Sequence, residues 1–193
     1  MFKKSVFKKF LLCCVCLLAA VGCAPKAQPS EVVENALEAF RKMDYAEFVS
    51  YMAEGAAEQT SSINHAASQK SEISKKALSE IEYSFTGEVE NSGTAEVTVH
   101  ITALYLPDIT SPYFSELINM QLNGDIPAED TEETRAAANE LWDRLITEPD
   151  APRMTETVVL ELLKSNNEWK IVPNENLISA LNGFQDRSPR EEE

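Results

Sequence analysis

Cysteine is the reactive residue type most unevenly placed in this chain. Cys13, Cys14, Cys16 and Cys23 are all four of them, so the sequence beyond Cys23 can hold no disulfide, thiolate metal site or cysteine nucleophile. Histidine is almost as scarce. His65 falls in a polar stretch rich in Ala and Ser, where exposure is expected, and His100 falls among Thr94, Glu96, Thr98 and Thr102. That spacing puts His100 on the face of a strand opposite its valines, an outer-face position in preference to a pocket base. The acidic run Glu129, Asp130, Glu132 and Glu133 lacks the alternating oxygen ligands and the glycine of a calcium loop, and reads instead as the charged first turn of a helix. No phosphate-binding glycine loop, zinc-ligand spacing or serine elbow occurs. The sequence therefore assigns no catalytic residue, no metal and no cofactor. Tyr83, Phe85, Tyr105 and Trp169 are the candidate ligand-lining residues, because aromatic rings offer broad contact area and Tyr and Trp add a polar handle. The competing reading of these four is plain core packing.

The four cysteines belong to the N-terminus, and so does the clearest chemical signal. Lys3, Lys4, Lys8 and Lys9 precede an apolar run from Phe10 to Val21, which is shorter than the roughly 20 residues of a permanent membrane helix. Residues 1–22 read as an export signal. Ala20-Val21-Gly22-Cys23, preceded by Leu17 and Leu18, resembles the bacterial lipobox, although Ala20 stands where leucine is usual. The resemblance implies cleavage before Cys23 and acylation of its sulfur, leaving a lipid-anchored protein on the outer side of the bacterial cell membrane. Each buried acyl CH2 contributes about 0.8 kcal/mol, so several chains on one residue hold firmly where one does not. Residues 23–29, with Pro25 and Pro29, then form a short spacer, residues 30–184 one domain, and the charged segment 185–193 a disordered tail.

Charge narrows the partners. The chain carries a net −15, and −19 once the lysine-bearing leader is gone. Such a surface is unsuited to nucleic acid or to direct contact with anionic lipid. The partners expected are the membrane, through the lipid anchor, and an unidentified small ligand or envelope protein.

The elements that must position any site follow from periodicity. Val33, Ala36, Leu37 and Phe40 recur at helical spacing after Ser30, an N-cap candidate, with Glu31, Glu34 and Glu38 outside. Asp44 caps a second helix over residues 45–52, residues 54–70 read as loop or weak helix, and Ser71 caps a third over residues 72–81. At residue 82 the period changes to two: Tyr83, Phe85, Gly87 and Val89 alternate with polar residues, Asn91-Ser92-Gly93 makes a turn, and Thr94 to Leu106 alternates again. Pro107 is expected to end that strand. A helix over residues 112–123 and another opened by a capping box at Asp130 to Glu133 form an insertion. A second hairpin runs over 154–163, turns at Ser165-Asn166-Asn167 and returns over 169–172, and Asn174 caps a closing helix ended by Gly183.

The order is that of an α+β domain, N-terminal helices packed on a curved, cone-like antiparallel sheet of about four strands with a helical insertion between its hairpins. The stretch Val33-Glu34-Asn35-Ala36-Leu37-Glu38-Ala39-Phe40-Arg41-Lys42-Met43-Asp44-Tyr45-Ala46-Glu47-Phe48 resembles the first helices of bacterial lipoproteins of the nuclear-transport-factor-two-like, or cystatin-like, superfamily. Val158 to Leu163, Glu168-Trp169-Lys170-Ile171-Val172 and the closing helix resemble its end. The resemblance implies a cone between sheet and helices, able to hold a ligand or, in enzymes of this superfamily, an acid, a histidine or a tyrosine. Fold does not choose among these uses. A non-enzymatic binding or interaction module is the leading expectation, with proton-transfer chemistry in the cone and a structural role in the envelope as alternatives.

Overall fold

The computed structural model describes residues 27–55, Thr60 and residues 71–185. The leader, Cys23, His65 with most of the 54–70 stretch, and tail residues 186–193 lie outside the described residues. Helix α1 spans Pro29–Arg41. Its N-cap is Gln28, not Ser30: Pro29 takes the first helical position, where a fixed φ helps and a missing N–H costs nothing, and the Glu31 carboxylate accepts the Gln28 N–H at 3.3 Å. Helix α2, Tyr45–Ser50, is capped by Asp44, which accepts the Glu47 N–H at 3.0 Å. It stops before Met52, because Met52 turns into a bridge with Ile171. Helix α3, Glu72–Ser79, is capped by Ser71 and ends short of Ile81.

Four antiparallel strands follow in spatial order β1-β2-β3-β4: β1 Glu82–Glu90, β2 Thr94–Leu104, β3 Arg153–Ser165 and β4 Glu168–Val172. Asn166 and Asn167 both take positive φ, the backbone that a two-residue hairpin turn requires. On the inner face Ala95, Val97, Val99, Ile101, Val158, Leu160, Leu162 and Ile171 are buried against Val33, Leu37 and Phe40 of α1. The alternation expected along β1 breaks at a bulge between Phe85 and Gly87. Past it the faces exchange, so Val89 pairs with Glu96 on the outer face and is 59 % exposed. Glu88 moves to the inner side, where its carboxylate accepts the Ser30 N–H at 3.1 Å, at the positive end of α1.

The insertion also departs from expectation. Strand β2 ends at Leu104, and Pro107, expected only as a strand terminator, sits in the first turn of α4, Leu106–Asn123. The Tyr105 N–H is taken by the Pro152 carbonyl at 2.8 Å and the Leu106 N–H by the Gly183 carbonyl at 2.9 Å, which draws the chain off the ladder. Pro112, expected to begin a helix, lies inside one. Helix α5, Glu132–Thr147, is capped by Thr131 rather than by an Asp130–Glu133 box: Thr131 accepts the Thr134 N–H, while Asp130 pairs with Arg135 at 3.0 Å. Leu104, Leu106 and Ile109 gather with Ala77 of α3 and Ile146 of α5 into a second, smaller cluster. Helix α6, Glu175–Leu181, returns to the main core through Leu177, Ala180 and Leu181, followed by Phe184. Among the described residues the architecture is thus α+β, six helices with an open four-stranded antiparallel sheet.

Candidate functional site

Among the described residues, Val33, Ala36, Leu37 and Phe40 of α1 close on the apolar row of β2 and β3. At one end of the sheet the last turn of α1, the last turn of α3 and the first residues of β1 and β3 converge around a groove of about 400 Å³. Its lining includes Glu38, Arg41 and Lys42 from α1, Glu80 and Glu82 between α3 and β1, and Arg153 from β3. Two helices end here, so their carbonyl termini bring partial negative charge, which Arg41 and Lys42 complement.

One hydrogen-bonded set is fixed at this rim. Tyr83, on the inner side of β1, donates its hydroxyl to Glu38 Oε1 at 2.7 Å, and Arg41 Nη1 donates to the same oxygen at 2.7 Å. The Glu38 carboxyl is accordingly held below its ordinary range, by the Tyr83 hydrogen bond first and the Arg41 guanidinium second. Burial pushes the Tyr83 hydroxyl up to about 12, and its bond to Glu38 adds to the rise. Arg153 reaches across the sequence to donate Nη1 to the Glu80 carbonyl at 2.8 Å. Lys42 makes no ion pair among the described residues, leaving its ammonium available to the groove.

The four aromatic residues singled out in the sequence are not gathered in one place. Tyr83 and Phe85 meet edge-on, ring centres 5.8 Å apart, beside the groove. Tyr105 is buried against Phe184, with centroids 6.1 Å apart. Trp169 belongs to β4, at the opposite edge of the sheet from β1, and is buried beneath Lys164, whose Nζ lies 4.4 Å from the ring centre. His100 occupies the outer face, in register with Ser84 and Thr157. Sequence reading missed Glu38, treated as an outward residue of its helix, and the cations Arg41, Lys42 and Arg153. The adjacent pair Arg41-Lys42 at a helix end in so acidic a chain was the available signal.

Among the described residues no group of His, Cys, Asp or Glu could hold a metal ion, and no helix is long and apolar enough to cross a membrane. No family model matches the chain, and no curated protein matches it. Among solved structures it is similar to ycdA of Bacillus subtilis, described as a "putative lipoprotein", at 12 % identity and a TM-score of 0.43. The match covers 81 % of this chain and 46 % of that one, so the chain spans less than half the length of the structure it resembles.

Proposed function

We propose that this protein is a lipid-anchored, extracytoplasmic binding module that takes a small zwitterionic or peptide ligand in the rim groove. The observation that carries the reading is the groove itself, where Arg41, Lys42 and Arg153 concentrate cations in a chain of net charge −15 and Glu80 and Glu82 supply the opposite sign. A ligand with both charges finds a partner for each, on rigid helix and strand ends. Anchoring rests on the lipobox-like residues ending at Cys23, and Cys23→Ala is expected to release the chain from membrane fractions or leave it unprocessed. Membership in the nuclear-transport-factor-two-like superfamily is supported by the N-terminal helices and the closing helix, which meet the inner face of one antiparallel sheet.

Binding is favoured over proton transfer by the state of the Glu38–Tyr83 pair. A general acid or base works best with a pKa near the working pH, whereas Glu38 is driven down and Tyr83 up to about 12, both away from neutrality. Among the described residues, α1 meets the inner face of β2 and β3 through apolar side chains. The test is a calorimetric titration of the detergent-solubilised full chain with zwitterionic dipeptides. Lys42→Ala removes a cation without breaking a hydrogen bond and is expected to weaken binding about two- to fivefold, in line with an exposed charge contact. Dipeptide binding that Lys42→Ala and Arg153→Ala both leave unmoved would overturn the assignment of the groove.

A further inference from the structure

The outer face of the sheet carries a second arrangement that the groove does not use. Its register sets Glu96 of β2 directly opposite Glu161 of β3, with Val89 of β1 and Val172 of β4 completing the same row. Like charges facing each other across a ladder are destabilising. Among the described residues no cation pairs with either carboxylate. Lys170, on the same face one row away, is turned to the Ser50 carbonyl at 2.9 Å and to Glu168 at 3.5 Å. Flanking rows add Val159, opposite Thr98, and Leu163, opposite Thr94. Val89, Val159 and Leu163 are 59 %, 48 % and 39 % exposed.

Two uncompensated costs thus coincide on one face: a carboxylate pair without a counter-ion, and aliphatic side chains left in water. An occupant that relieves both must bring cationic and aliphatic groups together. A second copy of the chain fails this requirement, since it presents the same carboxylates on a body of net charge −15. A bilayer with anionic lipid fails for the same reason. We propose that the outer face is a docking surface for an extended segment of a partner protein in which every second residue is by turns Lys or Arg and an aliphatic, a four-residue repeat that puts both on one side of the strand. A strand laid along β2 and β3 presents every second side chain to one side, so this four-residue repeat sets a cation at the Glu96–Glu161 row and aliphatics at the Val159 and Leu163 rows on either side of it. The row lies six residues along β2 from Thr102, which pairs with groove residue Glu82. That is about 20 Å at the rise of a strand, so occupation of one surface leaves the other free.

The probe is fluorescein-labelled (Lys-Ser-Val-Ser)2-amide, the Lys-Val peptide, with (Glu-Ser-Val-Ser)2-amide, the Glu-Val peptide, as its counterpart, read by anisotropy against the full chain in nonionic detergent. Glu96→Gln/Glu161→Gln removes the charge pair, and Val159→Ser/Leu163→Ser removes the aliphatic flank. Each double variant is expected to raise Kd about fivefold or more, the size of an effect near one exposed charge pair or one partly buried side chain. The charge variant is also expected to melt no lower than the parent, since it relieves repulsion, which separates lost binding from lost folding. Added salt is expected to weaken the parent's binding and to leave that of the Glu-to-Gln variant much less changed. No binding of the Lys-Val peptide, equal binding of the Glu-Val peptide, or a Kd unchanged in either variant would overturn the proposal. So would preferential adsorption of this face to phosphatidylcholine vesicles, or self-association that the Lys-Val peptide does not compete.

Discussion

The sheet core and the helical insertion solve the same problem with unequal means. Under α1, the apolar rows of two central strands meet a helix stripe, so Val33, Val97, Val99, Ile101, Val158, Leu160 and Leu162 lose all contact with solvent. The α4–α5 pair closes on the small cluster of Leu104, Leu106, Ile109 and Ile146, while α4 leaves Phe114, Ile118 and Leu122 exposed along one side. Each helix of the insertion is longer than α1, yet neither owns a comparable core. Helix length is set by local sequence, whereas stability comes from the apolar face that finds a partner. The insertion depends on the ends of β2 and α3 for its cluster, and so on the sheet core for its position.

The largest effect expected from this contrast is at Leu160. Leu160→Ala opens a cavity between fixed strands and a fixed helix and should cost about 3–4 kcal/mol, against about 2 kcal/mol for Ile146→Ala, where the insertion can settle inward. Urea unfolding of both variants measures the difference; equal losses would show the two regions to be one evenly packed body.

Gly183 lies at the joint between them. Its φ of +71° suits glycine, and a Cβ there would come within 2.7 Å of Leu106 Cγ and 2.9 Å of Leu106 Cδ1. Gly183→Ala is expected to cost about 2 kcal/mol, from strain and overpacking together. Leu106→Ala in the same chain should recover the overpacking part, so a double-mutant cycle in the same unfolding assay reads the coupling. Additive losses would mean that the two regions do not bear on each other at this point.

The smallest effect lies at the rim. Tyr83→Phe removes a hydrogen bond to a carboxylate that remains partly in water, for about 1 kcal/mol. Its pH dependence has a definite sign. Because the folded Tyr83 holds its proton up to about 12, its stabilisation is whole below the ordinary tyrosine value of 10.0 and is lost as pH rises from there toward 12. Glu38, held low, contributes above its ordinary 4.5, and that contribution fades as pH falls through its depressed folded value. Tyr83→Phe is expected to abolish the alkaline arm attributable to this pair and to shrink the acidic one, measurable as melting temperature against pH.

Local signals in the sequence carried the architecture well. Two hairpins, their turns at Asn91-Ser92-Gly93 and Asn166-Asn167, and the caps Asp44, Ser71 and Asn174 all lie where short-range chemistry places them. The errors fall where one residue type permits two outcomes. Proline stops a strand but also opens a helix, which hid the start of α4 at Leu106; glycine inside a strand also marks a bulge, and Gly87 was passed over. The rim site was illegible for a different reason. Glu38 and Tyr83 are 45 positions apart, and Glu80 and Arg153 are 73 apart, so only the folded chain brings them together.

The bulge in β1 acts as a one-residue phase slip in a signal of period two. Upstream of it the strand keeps step with the core; downstream it keeps step with the outside, so a single extra residue reassigns every side chain from Gly87 onward. Deleting Thr86 would make the ladder continuous and leave Gly87 opposite Thr98, Glu88 opposite Val97 and Val89 opposite Glu96, whereas one residue inserted beside Thr86 would shift every pair beyond it by one. With that insertion Val89 would fall opposite Ala95 under α1 and Glu88 opposite Glu96, out of reach of Ser30, exchanging the helix's carboxylate clasp for a valine and stripping the outer face of one of its aliphatic margins. One codon thereby governs both faces of the sheet, and length variation at this position would matter more than any substitution around it.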